Sequence, residues 1–296
     1  MKKILIPFLT ILFFAVSCGT PSAKKDGKVI TVTIPPLAWF VEGIAGGDFD
    51  VSIMLPQGAD HHIWEPLPAQ ISALAASKAL VMDGQIDFER AWLDRFREIN
   101  PDMRILDLSR HIELIRSGHE ADSADNTHYT GYKADGNDPH YWMSPVSAYI
   151  IADDIKNFLT ELNPGSAEKY EHNLTSMNDT IARVDSLLRQ AASSASPKTF
   201  MIYHPALGYV ARDYGLEQIS FEDEGKSPSP ARMKELIDIA GEKRIHIIFI
   251  QAEYDIRNAQ SLSSETGAKL VVINPMNKDW PRAVMEVARV IGSGEM

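Results

Sequence analysis

The residues best suited to chemistry in this chain are histidines set in stiff, polar loops. Gly58-Ala59-Asp60-His61-His62-Ile63-Trp64-Glu65-Pro66 carries two adjacent histidines, Asp138-Pro139-His140-Tyr141-Trp142-Met143-Ser144-Pro145 carries one between two prolines, and Tyr203-His204-Pro205 carries another. Neutral imidazole is the commonest metal-ligating side chain. Proline fixes its own φ and pushes the preceding residue out of the α region, so His140 is expected on a stiff, non-helical piece of chain before a helix beginning near Val146. Taken alone, that stretch reads equally well as a buried histidine at a helix start. The other two stretches shift the balance, because three histidines on one cleft suit zinc.

The elements that must position them alternate. Lys28 to Ile34, Asp50 to Leu55, Ala79 to Met82 and Arg104 to Leu108 read as strands. Helical patterns at Leu37 to Ala45, Pro68 to Ala76 and Phe88 to Ile99 lie between them. The second half repeats the scheme, with strands at Thr199 to Tyr203, Glu217 to Phe221, Ile245 to Gln251 and Lys269 to Asn274. Its helices fall at Leu207 to Tyr214, Pro230 to Glu242, Ile256 to Thr266 and Pro281 to Ile291. This rhythm implies an α/β fold of two lobes, each with a mainly parallel sheet flanked by helices. Between them, Ser166 to about Ser194 has neither proline nor glycine, and Leu174, Met177, Ile181, Val184, Leu187 and Leu188 recur at helical spacing. One rigid helix of roughly 40 Å would run along both lobes and favour small lobe shifts over wide closure. In such sheets ligands bind outside the carboxyl ends of the strands, so His62 and His204 are expected to face each other from opposite lobes.

The chain has 296 residues, a formal charge of −11 and a single cysteine. Met1 to Ser17 has Lys2 and Lys3, an apolar run and then small residues before Cys18, the pattern of a signal peptide with a lipoprotein-type processing site. Cys18 cannot form an internal disulfide, and at that position acylation explains it better than catalysis. Residues 18–28 read as a lipidated tether, 29–165 as an N-terminal lobe with a four-stranded sheet, 166–195 as the linking helix, and 196–296 as a C-terminal lobe of the same kind. Losing the signal takes the charge to about −13, which disfavours nucleic acid and suits a cation-attracting domain.

The three histidine motifs resemble those of the zinc/manganese substrate-binding proteins of ABC importers, in the right order and over nearly the whole mature chain. Tyr203 to Leu216, Glu222 to Pro230 and Glu265-Thr266-Gly267-Ala268 share in the likeness. The resemblance implies a two-lobed α/β fold with one long joining helix, and a role in capturing a metal and delivering it to a membrane permease rather than in catalysis. Carried over by motif, His62, His140 and His204 are the implied ligands. His61 stands where the family usually has proline, which makes it the alternative first ligand. Asp279 is the candidate fourth ligand and equally a cap for the following helix. Imidazole nitrogen favours Zn(II), with Mn(II) as the alternative, since manganese prefers more oxygen. His119 and His128 lie in an acidic stretch like a shortened auxiliary metal loop, although a solvated acidic loop is the plainer reading. The protein is expected to be a monomer, lipid-anchored through Cys18 on the periplasmic side or surface of a bacterial envelope. Two other classes fit part of the pattern. A zinc hydrolase would use Glu65 or Glu222 as base but lacks a His-Glu-x-x-His motif, and a surface adhesin needs only the anchor.

Overall fold

A computed structural model describes residues 28–117, 136–222 and 227–293. Cys18, the tether up to residue 27, His119 and His128 lie outside the described residues.

The N-terminal sheet contains β1 (Val29–Val32), β2 (Asp50–Ile53), β3 (Ala79–Met82) and β4 (Arg104–Asp107) in the order β2-β1-β3-β4, all parallel. The central β3 is a short continuous apolar run, and all four of its residues are buried, as befits a strand covered on both faces. Helices α1 (Pro35–Ala45), α2 (Pro68–Ala75) and α3 (Asp87–Ile99) connect these strands. A two-residue antiparallel pair follows, β5 (Arg116–Ser117) with β6 (Gly136–Asn137). The expected non-helical stretch at His140 is instead a single 3-10 turn, His140–Met143. It stops where Pro145 holds Ser144 extended, at φ −93° and ψ 128°, and the Ser144 hydroxyl then caps α4 (Pro145–Leu162) by accepting from the Val146 N–H.

The long helix α5 runs from Ala167 to Ser194. The C-terminal sheet contains β7 (Thr199–Ile202), β8 (Glu217–Ser220), β9 (Ile247–Gln251) and β10 (Lys269–Ile273) in the parallel order β10-β9-β7-β8. Helices α6 (Gly208–Tyr214), α7 (Pro230–Glu242), α8 (Ile256–Thr266) and α9 (Trp280–Gly292) accompany it.

Strand periodicity decides where the cores lie. On β7 and β9, Phe200, Ile202, Ile247 and Phe249 join the large core shared with α5 and the N-terminal lobe. Met201, Tyr203, Ile248 and Ile250 face the other way, into a smaller core closed by Leu236 and Ala240 of α7 and Ala259 and Leu262 of α8.

The α5 stripe of Tyr170, Leu174, Met177, Ile181, Val184 and Leu188 is buried, while Leu187, one step off it, is 46% exposed. Glycines let neighbouring helices approach this stripe. A Cβ on Gly43 of α1 would sit 2.5 Å from the Met177 methyl, and one on Gly292 of α9 would sit 3.1 Å from the Ala191 Cβ. Helix α9 falls within the 196–296 segment by sequence, yet it packs on α5 and reaches the first lobe. The Trp280 ring lies 5.3 Å from Trp39 and 5.5 Å from Phe40, centroid to centroid. Its indole N–H donates to the Trp142 carbonyl at 2.5 Å, and the Trp142 indole donates to the Pro275 carbonyl at 3.0 Å. These reciprocal bonds tie the last segment of the chain to the turn that carries His140. Trp280→Ala is therefore expected to destabilise the protein by about 3–5 kcal/mol in urea unfolding. A loss below about 1 kcal/mol would show that α9 is not a structural tie.

Candidate metal centre

Each histidine is delivered by the end of an element. His61 and His62 lie in the loop leaving β2, where the Asp60 carboxylate accepts the His62 backbone N–H at 2.9 Å and the Trp64 ring packs edge-on to Phe88. His140 opens the 3-10 turn before α4, with its backbone N–H bound to the Asp138 carboxylate at 2.9 Å. His204 follows β7, and its carbonyl accepts from the Gln251 amide at 2.7 Å. His62 and His204 thus meet at the carboxyl ends of strands from the two sheets, where a crevice is expected.

All four imidazoles converge. One candidate ligand atom from each of His61, His62, His140 and His204 lies within 4.8 Å of the others. Nε2 of His61 is 3.1 Å from Nε2 of His140, and Nε2 of His62 is 3.0 Å from Nε2 of His204. His61, His140 and His204 are at most 2% exposed, whereas the His62 side chain is 20% exposed and forms the solvent side of the cluster.

Carboxylates stand behind three of the rings. Nδ1 of His140 lies 2.9 Å from Asp138, Nδ1 of His204 lies 2.7 Å from Glu222, and Nδ1 of His62 lies 3.3 Å from Asp87. An acceptor on Nδ1 fixes the tautomer that leaves the Nε2 lone pair free, orients the ring and raises its basicity as a ligand. Asp138 is itself held through its backbone, its carbonyl accepting from the Tyr209 hydroxyl at 2.7 Å and its N–H donating to the Ile115 carbonyl at 2.9 Å.

Burial sets the protonation. Desolvation, with smaller repulsion from the neighbouring rings, holds His61 and His204 well below the usual 6.5. Burial also lowers His140, although Asp138 opposes it. These rings are therefore neutral at pH 7, with lone pairs available to a cation. Burial raises the Glu222 carboxyl to about 7, partly opposed by His62.

The structure brings His62, His140 and His204 together and places His61, the alternative first ligand, in the same cluster. Asp279 stands outside it. Its carboxylate caps α9, accepting from the Arg282 N–H at 3.2 Å. The carboxylates on Nδ1 are what the sequence reading missed. Asp138 had a signal, lying two residues before His140, and Glu222 lies two residues beyond the end of β8. Asp87, the first residue of α3, had none. Of the two suggested bases, Glu65 is exposed on its loop and Glu222 is engaged with His204.

Residues 30–286 match the model of the family described as zinc-uptake complex component A, periplasmic (ZnuA). The chain belongs to this family. Among curated relatives, it is 26% identical over 281 residues to the zinc-binding lipoprotein AdcA of Streptococcus pneumoniae, covering 93% of this chain and 56% of that protein. The chain thus spans about half the length of the AdcA relatives it matches. It is 27% identical to the high-affinity zinc uptake system protein ZnuA of Bacillus subtilis, covering 87% of this chain and 81% of that one. A crystal structure of ZnuA superposes with a TM-score of 0.81 at 31% identity, covering 91% of this chain and all of the other. Membership of the ZnuA family accords with two parallel sheets joined by a long helix, and among the described residues no helix is long and apolar enough to cross a membrane.

Asp138→Asn and Glu222→Gln replace the carboxyl group behind a ring with an amide while leaving the ring in place. Each is expected to weaken zinc binding roughly 10- to 100-fold in a competition titration. Unchanged affinity in both would show that these carboxylates do not tune the ligands.

Proposed function

We propose that this protein captures one Zn(II) ion as cargo between its two lobes and delivers it to the membrane permease of an ABC importer. The single observation that carries the reading is the convergence of buried, neutral imidazole nitrogens at the ends of strands from both sheets. His62, His140 and His204 are the core ligands. The ZnuA family and the zinc-binding names of its relatives support zinc as the cargo. Nitrogen donors favour it over manganese, which prefers oxygen.

The remaining assignments are ours. Residues 1–17 form a signal peptide, and Cys18 carries the lipid that anchors residues 18–28 as a tether in the bacterial envelope. Residues 29–165 and 196–296 form the two lobes, with α9 lying against the first, and 166–195 form the helix between them. The protein works as a monomer. Residues 119–128 would gather cations weakly. Binding rather than hydrolysis fits the surroundings of the cluster, since neither Glu65 nor Glu222 is placed as a free base beside it.

The test is zinc titration of the chelator-stripped protein beside His140→Ala. One tightly held zinc per chain is expected, weakened at least 10- to 100-fold in the variant. A wild type without metal, or a variant that binds as well, would end the proposal. Protons compete for the same nitrogens. Because burial holds His61, His140 and His204 below the usual imidazole value of 6.5, zinc affinity should hold from about pH 7.5 down to about 6.5 and fall only as the pH drops further and the ligands protonate. An affinity that already falls between about pH 8 and pH 7 would show that the rings are not held below the ordinary imidazole range.

A further inference from the structure

The four imidazoles are not held alike. His62, His140 and His204 each have a carboxylate on Nδ1, at 3.3, 2.9 and 2.7 Å. Nδ1 of His61 is buried and has no hydrogen-bond partner among the described residues. Its other nitrogen faces His140, and its ring packs against those of His62, His140, His204 and Trp142 at centroid distances of 4.0, 5.1, 5.8 and 6.5 Å. A residue needed only for packing would be better served there by an apolar side chain, since an unpartnered buried nitrogen is destabilising. Imidazole at this position makes sense when the ring serves a cation.

The geometry supplies the rest. A zinc–nitrogen distance of 2.0–2.1 Å in a tetrahedron places neighbouring nitrogens about 3.3 Å apart. The His61–His140 and His62–His204 pairs already stand at 3.1 and 3.0 Å, and the whole group lies within 4.8 Å. Asp279 is committed to the α9 cap, and the ligand group among the described residues contains no carboxylate.

We propose that His61 binds together with His62, His140 and His204 as a fourth nitrogen ligand, closing the centre to water and setting its preference for zinc over manganese. This rests on the reading of the cluster as the cargo site and deepens it. Four nitrogens fill the tetrahedron that zinc adopts and leave no oxygen donor for manganese. The positive charge of the complex is offset from behind by Asp138, Glu222 and Asp87. With no acceptor on its Nδ1 among the described residues, His61 lacks the carboxylate that orients each of the other three rings, so it tunes a centre that those three assemble.

Cobalt(II) serves as the probe, in wild type, His61→Ala and His61→Phe, with zinc and manganese competition on the same proteins. The wild type should show the intense visible bands of four-coordinate cobalt. Both variants should still bind one ion, but with weaker bands as water enters, and with the zinc-to-manganese affinity ratio reduced roughly tenfold or more. Thermal unfolding of the metal-free variants reports whether they fold. A five- or six-coordinate cobalt spectrum in the wild type overturns the proposal without any variant. Variants matching wild type in both spectrum and ratio also overturn it, leaving the cargo site standing. A wild type that binds no metal overturns both.

Discussion

Imidazole nitrogens placed about 3 Å apart with solvent largely shut out impose a condition on everything around them. At most one of two facing nitrogens can carry a proton without repulsion, so the rings must be neutral, their tautomers must be set from behind, and the loops bearing them must not drift. Asp138 and Glu222 meet the second requirement by accepting hydrogen bonds from the Nδ1–H groups of His140 and His204. Burial meets the first by disfavouring the imidazolium form. The outcome is a set of lone pairs directed at a common space, which is what binding a divalent ion needs and what a well-packed apolar cleft would not provide.

The third requirement falls on the helices and indoles. His62 and His204 belong to loops on different sheets, and their 3.0 Å separation survives only if the sheets keep their relation. Helix α5 supplies a continuous buried stripe along the core, and α9 returns from the end of the chain to lie on it. The Trp142 and Trp280 indoles, each donating to a carbonyl on the other's segment, carry that rigidity to the turn bearing His140. Such a frame suits small adjustments of side chains and loops around an ion better than wide hinge closure.

Much of this architecture was legible in the sequence, because the elements carry strong local signals. Proline at the start and glycine at the end bracket α1, and Pro230–Glu242 and Ile256–Thr266 fall where the pattern placed them. The return of α9 to the first lobe was not legible, since apolar periodicity shows that a face is buried and not which partner buries it. The same limit applies at the site. Loop context drew out all four histidines and the family motif favoured His62 over its neighbour, whereas the placing of the His61 ring beside the others depends on ring orientation, which adjacency alone leaves open. Asp279 was read with two roles, and the structure shows it at the helix end, where a carboxylate accepts an otherwise unpaired N–H. The 3-10 turn at His140 shows how far proline restricts a stretch: it forbids a continuous α-helix through Ser144 while leaving room for one tighter turn.

The central claim is that a zinc ion sits among nitrogens contributed by both lobes. Crystals of the zinc-loaded protein measured on both sides of the zinc absorption edge locate that ion directly. The account requires one strong anomalous peak about 2.0–2.1 Å from imidazole nitrogens of His62, His140 and His204. A zinc-loaded crystal with no peak there, or with its ion bound elsewhere on the surface, would contradict it.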